Sequence, residues 1–415
     1  MTDTGLTATD SAPVLATKET LTGLRGIPAA AKLGLRLLLK LRKGRLDLTT
    51  PDSQTLRFEG REPGVNAAII VKDFRFVGRA VAGGDIGFGE SYMDGDWDTP
   101  DLAKLLELFA SNLDAMQSLT QGGPVTRFFH WIYHRLRPNT RAGAKRNISA
   151  HYDLGNDFYA LWLDPSMTYS SARFTSPGQS LEDAQREKYA ALARSIDLQP
   201  GHHVLEIGCG WGGFAEYAAR DIGAKVTCLT LSKEQRDYAV ERMERLQLGD
   251  KVDIKLQDYR DETGRYDRVA SIEMFEAVGE EYWPSFFDKV AQCLQPGGKA
   301  GLQIISIRDD VFESYRKRAD FIQRYIFPGG ILPSVERLKG EFDRAGLTLK
   351  SMESFARDYA DTLAQWARSF SGAWDDIKAQ GFDERFRRMW LFYLAYCEAG
   401  FRTERVSVAQ YALSR

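Results

Sequence analysis

Val204-Leu-Glu-Ile-Gly-Cys-Gly-Trp-Gly-Gly213 decides how the rest of the chain is read. An apolar run that ends in glycines and passes into Phe-Ala-Glu-Tyr is a strand turning directly into a helix. Gly208, Gly210 and Gly212 let backbone approach a bound molecule and present amide N–H groups at the helix's positive end. In open α/β folds such a loop lies in the crevice at the carboxyl ends of the strands.

Outward from this loop, strands and helices alternate. AKVTCLTL, VDIKLQD, YDRVASIEM and KAGLQIISI read as strands. GGFAEYAARDIG, SKEQRDYAVERMERLQL and EYWPSFFDKVAQCL read as helices. That rhythm predicts an α/β, Rossmann-like domain with a doubly wound, largely parallel sheet. LTLKSMESF and VSVAQYALSR add two late strands, with a long helical stretch between them from about Tyr359 to Gly400.

The chain has 415 residues, which favours two domains. Its 55 basic and 57 acidic residues give no basic excess, which argues against a nucleic-acid partner. Cys209, Cys228, Cys293 and Cys397 lack CxxC spacing and read as reduced thiols, so no metal site is expected. No apolar run reaches the roughly 18 residues of a membrane span. Residues 1–28 carry no signal core and read as a disordered tail, so a cytoplasmic protein is expected.

From Ala29 to Lys43, Lys32, Arg36 and Lys40 recur at i, i+4 and i+8 opposite leucines. This is an amphipathic helix, packing on its own domain or lying on an anionic membrane surface. LDLTT, TLRFEG, AAIIVKD and RFVGRAV follow as strand signals, then the glycine-rich Gly83–Leu102 and the helical LAKLLELFASNL. Residues 29–135 thus form a smaller α+β N-terminal domain. Residues 136–147, polar, basic and broken by Pro138 and Gly143, read as a linker to a catalytic domain over 148–415.

A dinucleotide site wants GxGxxG and an acid at the end of the second strand. Here the loop runs GxGxGG and that strand ends Thr230-Leu231-Ser232. Glu206 and the VLEIGCG run instead resemble the first motif of class I S-adenosylmethionine methyltransferases. Asp258-Tyr259, closing the third strand, lies where that fold cups the adenine. NAD fits less well.

Further segments narrow the resemblance. HYDLGNDFYALWLDPSMTYSSARF (151–174), LTLSKEQ (229–235), MFEAVG (274–279), RYIFPGGILPS (324–334), DYADTL (358–363) and LAYCEAGFR (394–402) occur in this order. Together they resemble the cyclopropane-fatty-acyl-phospholipid synthase family, relatives of the mycolic acid cyclopropane synthases. The resemblance covers about Asn147 to Arg415, and GESYMDGDWD is similar to the N-terminal domain of the bacterial phospholipid enzymes.

The resemblance implies a seven-stranded methyltransferase domain with helical insertions for lipid. It implies S-adenosylmethionine as cofactor and unsaturated phospholipids at a membrane surface as substrate, and it leaves room for a homodimer. It places Tyr169, Ser170, the glycine loop, Thr230, Leu231, Gln235, Asp258 and Tyr259 on the cofactor. It also implies an anion pocket, usually holding bicarbonate, at Ser171, Glu273, Glu276, Gln303, Ile305 and Tyr359. Glu276 and Tyr359 keep the family pattern. Ser171 replaces a cysteine, Glu273 a glycine and Gln303 a histidine, and Ala277 stands in place of another histidine, which puts bicarbonate in doubt. Cys397 matches a cysteine sometimes regarded as catalytic, although its neighbours Ala395 and Ala399 suit a packing role.

These positions frame the expected chemistry. Methyl transfer to an alkene leaves a carbocation, which carboxylates and aromatic faces stabilise. Loss of a proton from the new methyl closes a cyclopropane, the first expectation. Proton loss without ring closure leaves a methyl-branched olefin or methylene group, the alternative. A lipid-binding protein without catalysis is the reading from a different class. All five histidines lie at or before position 203, so a base in the C-terminal half is a carboxylate, a tyrosine or a bound anion. Glu273 is the candidate to set its own carboxylate where the family holds its anion.

Overall fold

A computed structural model describes residues 12–24, 27–113 and 154–415. His130, His134, His151 and the expected linker lie outside the described residues. The chain forms two compact units, Met1–Phe129 with Asp383–Thr403, and His130–Phe382 with Glu404–Arg415. The expected continuous 148–415 domain is therefore interrupted.

The first unit is built on a five-stranded sheet, ordered β1-β3-β2-β4-β5. Its strands are β1 (Val14–Leu15), β2 (Lys43–Thr49), β3 (Thr55–Glu59), β4 (Glu62–Val71) and β5 (Trp97–Asp98). Period-2 alternation sends Leu46 and Leu48 inward, while Asp47 faces out to pair with Arg57 on β3 at 2.8 Å. Within 1–28, expected to be a tail, lie β1 and a helix, Lys18–Gly23, closed by a Thr17–Thr20 capping box. RFVGRAV, expected as a strand, opens the helix Arg75–Met93 instead. Asp73 accepts the Arg75 N–H, and Val77 packs where Gly34 leaves room, a Cβ there lying 2.2 Å from Val77 Cγ1. That local hydrogen bond and the close helix contact outweigh the β-branched character of the segment. In the amphipathic helix Ala29–Leu38, Ala31 and Leu35 are buried, while Arg36 and the following Lys40 stay exposed.

The helix Glu384–Arg402 belongs to this unit through identifiable bonds. Arg388 lies 3.9 Å above the Tyr92 ring and donates to the carbonyls of Tyr92 and Trp97, and the Tyr396 hydroxyl reaches Asp85 at 3.1 Å.

The second unit carries a seven-stranded sheet, ordered β11-β12-β10-β9-β6-β7-β8. Its strands are β6 (His203–Ile207), β7 (Lys225–Thr230), β8 (Val252–Leu256), β9 (Tyr266–Ile272), β10 (Leu294–Ile307), β11 (Thr348–Ser354) and β12 (Val406–Ser414). β10, β9, β6, β7 and β8 run parallel, while β12 pairs antiparallel with β10 and β11. The α/β prediction and its two late strands thus hold. Strand order reverses between β6 and β9, which pair with Glu206 opposite Ala270, and this switch point opens the ligand crevice. The helix Leu181–Ser195 lies close over β10, because a Cβ on Gly301 would stand 2.9 Å from both Leu192 and Ile196. Among the described residues no helix is long and apolar enough to cross a membrane.

Candidate active site

At the end of β6 the glycine loop divides its work. Gly208 and Cys209 donate to the Leu229 carbonyl at the end of β7, which fixes the loop to the neighbouring strand. A Cβ on Gly208 would lie 2.5 Å from Met274, and one on Gly213 would lie 2.3 Å from the Tyr189 hydroxyl. Gly210 differs: its φ is +53° and the space where a side chain would project is open. That opening, beside the start of the helix Gly213–Tyr217, fits a ligand pressed against backbone.

Polar groups around the opening are pre-set. Thr230 accepts the Ser232 N–H and donates to Gln235 Oε1, both at 3.1 Å, while Ser232 caps the helix Lys233–Arg245. Leu231 lies half-buried between them. Asp258 is held by a two-point bond to Arg260 at 2.6 and 2.9 Å, and the Tyr259 ring packs 5.4 Å from Phe286. Glu206 is only 3% exposed, and burial pushes its carboxyl up to about 8.

Tyr169 stands in an aromatic cluster, with its ring 5.4 Å from Tyr159, 5.7 Å from Trp162 and 5.2 Å from Trp366. Trp211 of the glycine loop joins through Tyr159 at 5.1 Å and donates its indole N–H to Asn156. Asn156 is thereby tied to the glycine loop. Such ring faces suit a cationic centre in a dry pocket.

The carboxylate pocket follows at the end of β9. Glu273 has φ +50°, a left-handed backbone that favours glycine, the residue the family pattern has there. Its Oε1 accepts from the Ser171 N–H at 2.8 Å and from Gln303 Nε2 at 2.7 Å. Its Oε2 accepts from the Tyr359 hydroxyl at 2.6 Å. Ser171 contributes only backbone to this bond, since its hydroxyl donates to the Ala172 carbonyl. Glu276, three residues on, accepts the Ile305 N–H on Oε1, while its Oε2 is sealed from solvent without a partner. Its backbone carbonyl accepts from Ile331 and so anchors the FPGG turn. Burial, and then the nearby Glu273, push the Glu276 carboxyl up to about 8. Burial also raises Glu273, but Tyr359, Lys188, Ser171 and Gln303 all oppose that rise.

Ser171, Glu273, Glu276, Gln303, Ile305 and Tyr359 thus come together in one place. Cys397 lies half-buried on Glu384–Arg402, in the other unit. Lys188 is a site residue the sequence reading missed. It is fully buried in the helix Leu181–Ser195 and donates to the Ser170 hydroxyl. A signal existed: Ala184, Lys188 and Leu192 recur at i, i+4 and i+8, which puts the lysine on the buried stripe.

Comparison with known proteins now decides the family. A family model described as mycolic acid cyclopropane synthetase matches residues 139–411. The chain belongs to the mycolic acid cyclopropane synthetase family. This family member is 41% identical over 349 residues to tuberculostearic acid methyltransferase UfaA1 of Mycobacterium tuberculosis, covering 80% of this chain and 79% of that one. It is 36% identical over 365 residues to the cyclopropane-fatty-acyl-phospholipid synthase of Escherichia coli K12, covering 84% and 88%. Among solved structures, the cyclopropane synthase MmaA2 from Mycobacterium tuberculosis superposes with a TM-score of 0.62 at 30% identity, over 65% of this chain and 98% of that one. Mycolic acid cyclopropane synthase CmaA1 complexed with SAH and CTAB gives 0.62 at 29%, over 68% and 100%. The chain is an S-adenosylmethionine-dependent methyltransferase, and the open side of Gly210 with Thr230, Gln235, Asp258 and Tyr169 around it fits that cofactor.

Proposed function

We propose that this enzyme methylates a double-bond carbon of an unsaturated acyl chain in a membrane phospholipid, and that Glu273 then takes a proton from the chain, leaving a methyl-branched alkene. S-adenosylmethionine supplies the methyl group: a carbon–carbon bond forms to the alkene, the carbon–sulfur bond breaks, and the neighbouring chain carbon is left cationic. The aromatic cluster about Tyr169 shields that cation, and the carboxylate of Glu273 receives the proton.

The carrying observation is the anchoring of Glu273 by Ser171, Gln303 and Tyr359. Losing a proton from the carbon next to the cation gives an alkene directly. Closing a ring takes a proton from the new methyl, one bond further away, and so requires a base aimed at that methyl. A carboxylate fixed by three donors cannot follow it as a diffusible anion can. The relative at 41% identity bears the name of a fatty acid methyltransferase, which accords with this reading. Ring closure is the second reading, favoured by the 36% identity to the Escherichia coli synthase.

A trideuteromethyl donor separates the two on monounsaturated phospholipid vesicles. Three deuteriums retained in the product is the expected result; two retained with a cyclopropane signal would overturn the branched reading.

Access to lipid from the cytoplasmic membrane surface is part of the proposal, with the exposed Arg36 and Lys40 meeting anionic headgroups. Changing Lys32, Arg36 and Lys40 to Glu should weaken sedimentation with anionic vesicles while leaving cofactor affinity intact. Unchanged vesicle binding removes this helix from the proposal.

A further inference from the structure

The helix Leu181–Ser195 grips the reaction centre from behind. Gln185 donates to the Ser170 carbonyl at 2.9 Å, and Lys188, one turn on, donates to the Ser170 hydroxyl at 2.5 Å. The next residue, Ser171, gives its N–H to Glu273. A second route leaves the same turn of helix: Gln410 donates both to the Lys188 carbonyl at 3.0 Å and to Gln303 Oε1 at 3.1 Å, and Gln303 donates to Glu273. Two of the three bonds that hold Glu273 therefore trace back to Lys188.

A fully buried ammonium is costly unless a charge compensates it. Three carboxyl groups act on Lys188 electrostatically: Glu206 from the end of β6, Asp164 from the segment before Tyr169, and Glu273 from the end of β9. Its ammonium also lies 4.5 Å from the centre of the Tyr189 ring. Glu206 is pushed up to about 8 and stands protonated at neutral pH. Asp164 already accepts from the Ser166 N–H at 2.9 Å. Glu273 acts most strongly of the three on Lys188, and the three donors on its two oxygens favour its charged form against the burial that raises it.

We propose that Lys188 is the counter-ion of the proton-accepting centre, a positioning residue that ties the Tyr169-Ser170-Ser171 turn to Glu273 and holds that carboxylate ionised for its turn as base. The inference rests on Glu273 being the base, and it gives the helix Leu181–Ser195 a role in proton removal beyond packing. Burial draws Lys188 down to about 7 even though Glu273, first among the three carboxyls, opposes that fall.

The test is the pH dependence of kcat for the full-length enzyme on phospholipid vesicles, with S-adenosylhomocysteine affinity and thermal unfolding confirming that each variant is folded. Lys188 lowers the Glu273 carboxyl, so removing its charge raises that group and moves the acid limb to higher pH. Lys188→Met should shift the limb upward by about one pH unit or more, the scale set by a nearby opposite charge. Activity should recover as pH rises. Lys188→Gln retains a donor for Ser170 without the charge and should shift the limb as far; where the Met variant does not fold, this variant decides. An acid limb left in place in folded Lys188→Gln, with Glu273→Gln inactive, overturns the role of Lys188 and leaves the base standing. Full activity in Glu273→Gln instead overturns the base itself.

Discussion

Glu273 and Glu276 lie three residues apart in one pocket, yet their surroundings differ. Glu273 receives three donors on two oxygens, whereas Glu276 receives one backbone N–H and keeps a sealed, unpartnered Oε2. Donors favour a carboxylate; burial without donors favours the neutral acid. Two like carboxyls so placed titrate apart, the arrangement that assigns an anion to one and a proton to the other. The backbone supports the same division, since Glu273 occupies a left-handed conformation that costs a non-glycine residue about 1–2 kcal/mol. A side chain placed there against that cost serves the site rather than the fold.

The harshest way to break the comparison is Glu273→Gln. It keeps the volume and removes the proton acceptor, so kcat should fall on the order of 10²-fold or more. Added bicarbonate should leave the native enzyme's rate unchanged, because the carboxylate is already built in. The triple change Glu273→Gly, Gln303→His and Ser171→Cys restores the family's pocket and should make turnover depend on bicarbonate. Steady-state rates in carbonate-free and carbonate-supplemented buffer check both statements; a native enzyme stimulated by bicarbonate contradicts them.

Tyr359→Phe sharpens the comparison by taking one donor from Glu273 alone. A hydrogen bond to a charged group is worth roughly 1.5–3 kcal/mol, so about a tenfold loss near neutral pH is expected. Because that hydroxyl lowers the Glu273 carboxyl, its removal raises the group. The deficit should therefore be largest at low pH and shrink as pH rises. A pH-independent deficit would mean that Tyr359 acts on something other than Glu273.

Glu276→Gln tests the other half. A carboxyl held near 8 is already neutral at pH 7, and glutamine copies it, so kcat should change only a few-fold. The stability effect has the opposite sign. The folded pKa lies above the unfolded one, so Glu276 costs nothing below about pH 4.5, and its cost grows as pH rises toward 8. Glu276→Gln should raise Tm at pH 7.5, by the equivalent of about 4 kcal/mol at most, and leave Tm nearly unchanged at pH 4.5. A Tm gain that does not depend on pH would break the assignment of the proton to Glu276.

The pocket and the fold were legible to different depths. The glycine loop and the parallel strands followed from the residue pattern, whereas the meeting of Ser171, Glu273, Gln303 and Tyr359 was implied by the family resemblance. Lys188 followed from neither, since a lysine in LEDAQREKYAALARS reads as solvated until packing against β10 buries it. RFVGRAV misled because β-branched and aromatic residues signal strands, while Asp73 and the room left by Gly34 selected a helix. The allegiance of Glu384–Arg402 was also hidden: Arg388 meets Tyr92 across nearly three hundred residues of chain, and no local pattern reports that.

Cys397 closes the comparison from the first unit. The family resemblance offers it as a catalytic residue, yet it lies on Glu384–Arg402 in the first unit, while Glu273, Glu276, Gln303 and Tyr359 all belong to the second. Attack of an alkene on a sulfonium methyl needs no thiol nucleophile, and Glu273 is the proposed acceptor of the proton. A half-buried cysteine between Ala395 and Ala399 behaves as a small packing residue, and serine preserves its size. Cys397→Ser should hold kcat within about twofold and change stability by no more than about 1 kcal/mol, the ordinary scale of a mild substitution. Alkylation by a thiol reagent should likewise leave Cys397→Ser and the native enzyme to lose activity equally, if at all. A loss of 10²-fold in folded Cys397→Ser, matching that of Glu273→Gln, would place a thiol in the chemistry and end the assignment of proton removal to Glu273 alone.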